Sequence, residues 1–263
     1  MIRIKRLLAT LLDFLVEQIP ASIAKSLEWR LQKAQGKGIG YASVVDEVRT
    51  LKYFIQALNL NEVNILDIGA NFGQYGLQVI SKIPNIQLHS FEPSKSAYNE
   101  LELVASPYKN WSTYNFGFGS KEGSLELFSN EIGSASASLL NSENTFGRKI
   151  PNASEIVEIK RLDDFLQRNG QLKANILKLD VEGYELNSLE GTGELIRNFK
   201  IVQFEFGEIS MEARTYFRDF WNYFNKYGFT IHRITRRRPI QITEYNEDLE
   251  TFRVTNYLAV REF

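Results

Sequence analysis

The feature that most constrains this chain is the run Asn64-Ile65-Leu66-Asp67-Ile68-Gly69-Ala70-Asn71-Phe72-Gly73-Gln74-Tyr75-Gly76. An apolar stretch that stops at Asp-Ile-Gly, with a helical segment after Gly73, reads as a buried strand, a tight turn and a helix start. Gly69 suits the turn, and Gly73 would let the backbone come close to a ligand. The helix start offers unpaired backbone N–H groups. Glu92 follows the first glycine by about twenty residues, where a carboxylate accepts hydrogen bonds from ribose hydroxyls.

The same strand–turn–helix rhythm continues along the chain. Val63–Ile68, Ile86–Phe91, Trp111–Phe116, Ala174–Leu179, Lys200–Phe206, Phe229–Ile234 and Thr251–Val260 read as seven strands. Tyr75–Lys82, Ser94–Val104, Leu162–Arg168, Tyr184–Leu189 and Ala213–Tyr227 read as helices. This alternation predicts an α/β fold, a parallel sheet covered on both faces. The last two strands leave no room for a crossover helix and are expected to pair antiparallel. Ser120-Lys121-Glu122-Gly123 reads as a hairpin turn into Ser124–Phe128, with Ile156–Lys160 as a further strand. The polar stretch from Ser129 to Ser154 reads as a long loop of the kind that serves as a lid. Ser94 is expected to cap its helix, and the aromatic helix around Phe217, Phe220 and Phe224 to be mostly core.

Residues 1–60 read as an N-terminal helical extension and 61–263 as the main domain. A first helical region covers 2–35. A second places Val44, Val45, Val48, Leu51, Phe54, Ile55 and Leu58 on one face. Arg3, Lys5 and Arg6 precede an apolar stretch that Asp13 and Glu17 interrupt, with Leu8, Leu11, Leu12, Leu15 and Ile19 at helical spacing. That pattern suits an amphipathic helix better than a cleaved signal or a spanning helix. The helix either packs on the main domain or makes weak peripheral contact with a membrane surface. The chain is read as cytoplasmic.

Composition removes several chemistries. There is no cysteine, which excludes disulfides, thiolate catalysis and Cys-based zinc sites. His89 and His232 are the only histidines, so a three-His metal centre is excluded. Asp180, Glu182 and Glu205 could together hold a hard cation, but no spacing requires it, and metal independence is expected. The net charge of −1 gives no reason to expect nucleic-acid binding. Nothing sets an oligomeric state.

The Asp67–Gly73 turn fits a dinucleotide or S-adenosylmethionine. The pyrophosphate fingerprint is G-x-G-x-x-G, whereas the glycines here fall at 69, 73 and 76. Asp67 lies just before the first glycine. A carboxylate there is awkward beside a pyrophosphate but suits the cationic amine of a methionine moiety. This spacing and the antiparallel ending favour S-adenosylmethionine. A nicotinamide-dependent oxidoreductase and a non-catalytic S-adenosylmethionine-binding module are the alternatives.

Further segments stand in order after Leu66–Tyr75: Phe91-Glu92-Pro93-Ser94, Tyr114–Gly119 with Gly123, Ser138-Leu139-Leu140, Arg161–Phe165, Leu177–Glu185 and Phe204-Glu205-Phe206. This series resembles the FkbM-type methyltransferases over about residues 60–207, with Asp180-Val181-Glu182-Gly183 its most distinctive member. The resemblance implies a Rossmann-like class I methyltransferase sheet of seven strands, S-adenosylmethionine as donor, and a hydroxyl acceptor on a sugar, glycan, polyketide or similar small metabolite. It implies cofactor contacts at Asp67, Gly69, Ala70, Asn71, Gly73, Tyr75, Glu92, Pro93, Asn115 and Asp180. Phe116-Gly117-Phe118-Gly119 departs from the family, which more often carries a small-residue, Ala-Leu-Gly-like run there.

A hydroxyl is a poor nucleophile until its proton is managed, so a base is expected. Asp180 is the first candidate, at the carboxyl end of a strand, where open α/β sheets bind ligands. Glu205 holds the equivalent end of the next strand, where burial would raise its pKa, and Glu182 completes the set. Asp180 also fits an N-cap, a purpose Glu182 and Glu185 could share, and Glu205 a structural carboxylate. Arg236-Arg237-Arg238 either steers an anionic acceptor or forms a solvated loop. His232 and His89 read as structural.

Overall fold

The computed structural model describes residues 14, 16–38, 44–129, 138–139, 153–170 and 172–262. Residues 2–13 of the expected first helix and most of the 129–154 loop lie outside the described residues. Two helices, α1 (Ala21–Ala34) and α2 (Val44–Ala57), come first. The alternating part follows as β1 (Val63–Ile68), α3 (Gln74–Lys82), β2 (Ile86–Phe91), α4 (Lys95–Ala105) and β3 (Trp111–Tyr114). An excursion holds β4 (Gly117–Phe118), β5 (Gly123–Ser129) and β6 (Ala153–Lys160). The chain returns through α5 (Leu162–Arg168), β7 (Ile176–Leu179), α6 (Glu185–Glu190), β8 (Ile201–Phe206), α7 (Ile209–Glu212) and α8 (Phe217–Lys226). It ends with β9 (Thr230–Arg233), β10 (Ile240–Ile242) and β11 (Thr255–Val260).

The main sheet has the order β10-β9-β11-β8-β7-β1-β2-β3. Strands β3, β2, β1, β7 and β8 are parallel, and β11 runs antiparallel between β8 and β9. This is the expected Rossmann-like class I sheet with its antiparallel ending. An eighth strand, β10, extends the edge by pairing with β9. Three residues just after Pro239 are too short a run to show alternation in sequence.

Each face carries a helical layer. On one, Leu51 of α2, Val79 of α3 and Leu101 of α4 pack over Ile65, Leu88, Ile176 and Ile201. On the other, Phe217, Phe220 and Phe224 of α8 join Phe165 and Leu189 over Leu66, Leu177 and Phe204. The packing expected of the N-terminal region is made by α2, which buries Val48, Leu51, Phe54 and Ile55, whereas α1 buries no residue.

Three boundaries differ from expectation for local reasons. The final strand starts at Thr255 because Phe252 sits in the left-handed region, φ 45°. The aromatic helix starts at Phe217, after a left-handed Arg214 that separates it from α7. Strand β3 stops at Tyr114, and Gly117–Phe118 leaves the main sheet to pair with β6 in a second sheet of order β4-β6-β5. Ser94 occupies the N-cap position of α4 without a side-chain cap. No described helix is long and apolar enough to cross a membrane.

Candidate active site

Strand register builds a polar row through the buried sheet. Asp67 on β1 lies level with Ser90 on β2 and Lys178 on β7, and Lys178 lies level with Gln203 on β8. Polar groups withdrawn from water must find partners inside. Lys178 Nζ lies 3.2 Å from Asp67 Oδ1 and 3.2 Å from Asp180 Oδ2. Ser90 Oγ donates to Asp67 Oδ2 at 3.2 Å and accepts from Trp111 Nε1 at 2.9 Å. Tyr75 OH donates to Gln203 Oε1 at 3.1 Å, and Gln203 Nε2 donates to Glu47 Oε2 of α2 at 2.6 Å.

Burial works against the Lys178 ammonium, but Asp180, Asp67 and Glu47 together hold its pKa above the ordinary lysine range. Burial raises the Asp67 carboxyl while Lys178 pulls it down. We take the pair as ionised, because three carboxylates surround one ammonium. Burial pushes Glu47 up to about 7 against the opposing pull of Lys178.

The carboxyl ends of β1, β2 and β7 open into a cavity of about 270 Å³. Its walls include Gly69, Asn71, Glu92 and Pro93 on one side and Asp180, Val181 and Glu182 on another. Phe118, Leu127, Leu139 and Ile159, all from the excursion after β3, supply an apolar wall. The Gly-turn amides are largely committed within the protein: Gly69 and Ala70 both donate to the Phe91 carbonyl, at 3.0 and 3.1 Å. Glu92 accepts from the amides of Asn71 and Ser94, both at 2.8 Å. Burial raises its carboxyl to about 7 in spite of those two donors. Asn71 is left-handed, φ 48°, and its Oδ1 is buried with no hydrogen-bond partner.

Several expected contacts sit behind this wall instead of in it. Asp67 has no exposed surface and faces Lys178, and Tyr75 is buried against Gln203. Asn115 Nδ2 donates to the carbonyls of Glu92 and Pro93, at 2.9 and 3.0 Å, which fixes the end of β2. The close approach permitted by Gly73 is to protein: a Cβ there would lie 2.9 Å from Leu101 and 3.1 Å from Trp111. Gly69, φ 79°, fits against β7, since its Cβ would fall 1.9 Å from the Asp180 carbonyl oxygen.

The turn after β7 carries the acidic groups. Glu182 and Gly183 are both left-handed, φ 49° and 99°. Glu185 reaches back to accept from the amides of Val181 and Gly183, each at 3.0 Å, so Glu185 closes the turn and Asp180 caps no helix. That leaves the Asp180 side chain 45% exposed in the cavity wall. The Glu205 side chain, partly buried at the end of β8, makes no hydrogen bond among the described residues, while its backbone belongs to the β8–β11 ladder. Burial, then the charges of Asp180, Glu182 and Glu185, drive its pKa well above the carboxylate range. The Glu182 carbonyl accepts from Ser138 Oγ at 2.7 Å, and Ser138 exchanges backbone hydrogen bonds with Phe128 at 2.8 and 2.9 Å. The described part of the loop is thereby fastened beside the cavity. Among the described residues no group of three His, Asp or Glu side chains is arranged to hold a metal ion. His89 meets Tyr114 OH at 3.3 Å, and the His232 ring packs 4.7 Å from that of Phe54, both outside the cavity lining.

Lys178, Glu47 and Gln203 escaped the sequence reading. The signals were a lysine inside the apolar run Ile176–Leu179 and a glutamate in the stripe Val44, Val48, Leu51.

Residues 67–231 match the family model described as the methyltransferase FkbM domain. The chain belongs to this family. The matched segment contains every cavity residue named above, and Glu47 lies outside it. The chain is similar to methyltransferase sdnD of Sordaria araneosa, 28% identical over 171 residues covering 54% of this chain and 66% of that protein. It is also similar to methyltransferase 1 of Beauveria bassiana (strain ARSEF 2860), 27% identical over 142 residues covering 48% of this chain and 57% of that protein. These matches thus span under two thirds of each relative. Among solved structures, the plantazolicin methyltransferase BamL in complex with a triazolic desmethylPZN analog and SAH is 10% identical, with 90% of this chain and 91% of that chain covered and a TM-score of 0.48. The cofactor of this FkbM domain is S-adenosylmethionine. The cavity is compatible with it, with the Glu92 carboxyl in its wall and an acceptor without a partner at Asn71 Oδ1.

Proposed function

We propose that this FkbM domain methylates a hydroxyl oxygen of a small-molecule acceptor, a sugar, glycan or secondary metabolite. The observation that carries this reading is Asp180, half-exposed in the cavity wall and held by Lys178, with the charge of Asp180 felt by Glu205 at the end of the next strand. When bound, the cofactor supplies a methyl group already activated by its sulfonium. The chain's own residues have to orient the acceptor and take one proton.

On this reading Glu92 accepts from the ribose hydroxyls and Asn71 Oδ1 from a donor on the methionine end. The apolar wall of Phe118, Leu127 and Ile159 receives the purine. Asp67, Gly73, Tyr75 and Asn115 act from behind, fixing the turn, the helix start and the end of β2. Asp180 accepts the hydrogen bond of the acceptor hydroxyl, and its proton as the oxygen–methyl bond forms and the methyl–sulfur bond breaks. Lys178 keeps Asp180 oriented through Oδ2. Glu205 shares the transferred proton, as neighbouring carboxylates do.

The test is S-adenosylhomocysteine release over a panel of hydroxylated and amine-bearing acceptors, with calorimetric binding of S-adenosylhomocysteine in parallel. Asp180→Asn and Glu205→Gln should each lower turnover of a hydroxyl acceptor by about 10²–10⁴-fold, the range of a lost general base, with product binding retained. Wild-type turnover by both variants, or methylation confined to amines, overturns the proposal.

A further inference from the structure

Helix α1 is an amphipathic helix that buries none of its residues and has no packing partner among the described residues. Of the fourteen large hydrophobic residues exposed among those described, six fall in residues 14–31: Phe14, Val16, Ile23, Leu27, Trp29 and Leu31. Ile23, Leu27 and Leu31 recur every four residues and so share one face. Arg30 borders that stripe, Lys25 and Lys33 lie on the rest of the helix surface, and Glu28 is the one acidic residue of the helix. Lys33 Nζ lies 3.6 Å from the Trp29 ring centroid, on the side of the helix turned away from that stripe.

The helix is rooted beside a second basic feature. Arg233 Nη1, on β9, donates to the Gln35 carbonyl at 3.2 Å. Gly36 fits so closely that a Cβ there would lie 2.8 Å from Thr235 Cγ2. Arg236, Arg237 and Arg238 follow at once, all exposed and with no carboxylate partner among the described residues, and the exposed Ile240 comes next. The chain as a whole carries −1, so this concentration of cations around bare apolar side chains is local. Strands β8 and β9 both run antiparallel to β11, hence parallel to each other. The root of α1 and the three arginines therefore lie at the same edge of the sheet as Asp180 and Glu205.

We infer that the protein docks on an anionic lipid bilayer, with the apolar stripe of α1 in the interface and Arg236–Arg238 on the headgroups. Charge complementarity names this occupant. A nucleic acid would use the cations and leave Leu27 and Leu31 in water. An anionic bilayer takes the stripe and the cations together, because an interfacial helix buries its apolar face while flanking Lys and Arg reach the headgroups. Docked in this way, the protein holds the pocket end of its sheet toward the membrane.

The experiment is co-sedimentation of the full chain with phosphatidylcholine vesicles with and without phosphatidylglycerol, at low and high salt. Expected is binding about tenfold or more stronger with phosphatidylglycerol and weakened by salt, as for several basic residues near an anionic surface. The double variant Leu27→Glu/Leu31→Glu should lose binding, and the triple variant Arg236→Ala/Arg237→Ala/Arg238→Ala should lose the lipid preference. Since α1 buries no residue, both should keep the wild-type thermal shift with S-adenosylhomocysteine. Equal sedimentation with both vesicles, or binding that survives the double variant, overturns the inference. So does a dimer, seen by light scattering, that the double variant dissociates in the absence of lipid.

Discussion

Lys178 and Asp67 face each other across β7 and β1 at 3.2 Å, with side chains 4% and 0% exposed. Removing one member of a buried ion pair strands the other charge, which costs about 3–5 kcal/mol. Lys178→Met should therefore lower the unfolding free energy by about that amount in urea titrations. Asp67→Asn added to it should recover part of the loss, because the stranded carboxylate is then gone. A Lys178→Met protein as stable as wild type would mean that the pair is not ionised in the fold.

Glu92 should weigh most in cofactor affinity. Its carboxylate accepts from the Asn71 and Ser94 amides and lines the cavity. Glu92→Gln keeps the shape and loses the charge, and a hydrogen bond to a charged group is worth about 1.5–3 kcal/mol. Calorimetry should show S-adenosylhomocysteine binding weakened by about 10–150-fold, and the free protein should lose about 1–3 kcal/mol of stability as well, because a glutamine has one oxygen to accept from the two amides of Asn71 and Ser94. Unaltered affinity would remove Glu92 from the binding surface.

How much of this was legible in the sequence follows from the range of each interaction. The turn at Asp67–Gly73 and the acidic end of β7 are local patterns, an apolar strand stopped by a carboxylate and glycines, and both lie where expected. The position of Asp67 is not local. Whether its carboxylate meets a ligand or an ammonium depends on the register of β1 against β7, and the residue level with it is Lys178. The close approach at Gly73 is not local either, since Trp111 comes to it from a distant strand. The apolar wall of the cavity comes from the excursion after β3, whose sequence shows strands but not what they cover. Glu47 belongs to α2, and only the packing of that helix on the sheet brings it to Gln203.

Three buried carboxyls make stability depend on pH. Burial raises Glu47, Glu92 and Glu185 to about 7 in the fold, from 4.5. Their folded values lie above their unfolded ones, so the folded state holds more protons between pH 4.5 and 7. The stability they contribute is complete below the lower value and lost as pH rises through the higher, with a slope up to about 1.4 kcal/mol per unit for each group. Urea midpoints should fall from pH 5.5 to pH 8. Glu47→Gln should flatten that fall, gaining on wild type by at most about 3 kcal/mol at pH 8 and little at pH 5. Parallel profiles for the two proteins would show that Glu47 ionises normally.

Gly69 joins fold and chemistry at one atom. Its φ of 79° is left-handed, and a Cβ would sit 1.9 Å from the Asp180 carbonyl oxygen. Gly69→Ala cannot be absorbed by a side-chain rotation, because the obstacle is backbone. Either β1 and β7 part or the Asp180 turn moves. Overpacking alone costs about 1–3 kcal/mol, and the left-handed backbone adds about 1–2. The same displacement carries Asp180 away from Lys178 and from the cavity, and small misplacements of a reacting group cost about 10²-fold in rate. Gly69→Ala should thus lose stability and turnover together. Ala70→Gly, one residue on and without the clash, should keep turnover within a few-fold. If Gly69→Ala melts at the wild-type temperature and turns over at the wild-type rate, the contact between this turn and the Asp180 backbone does not set the site.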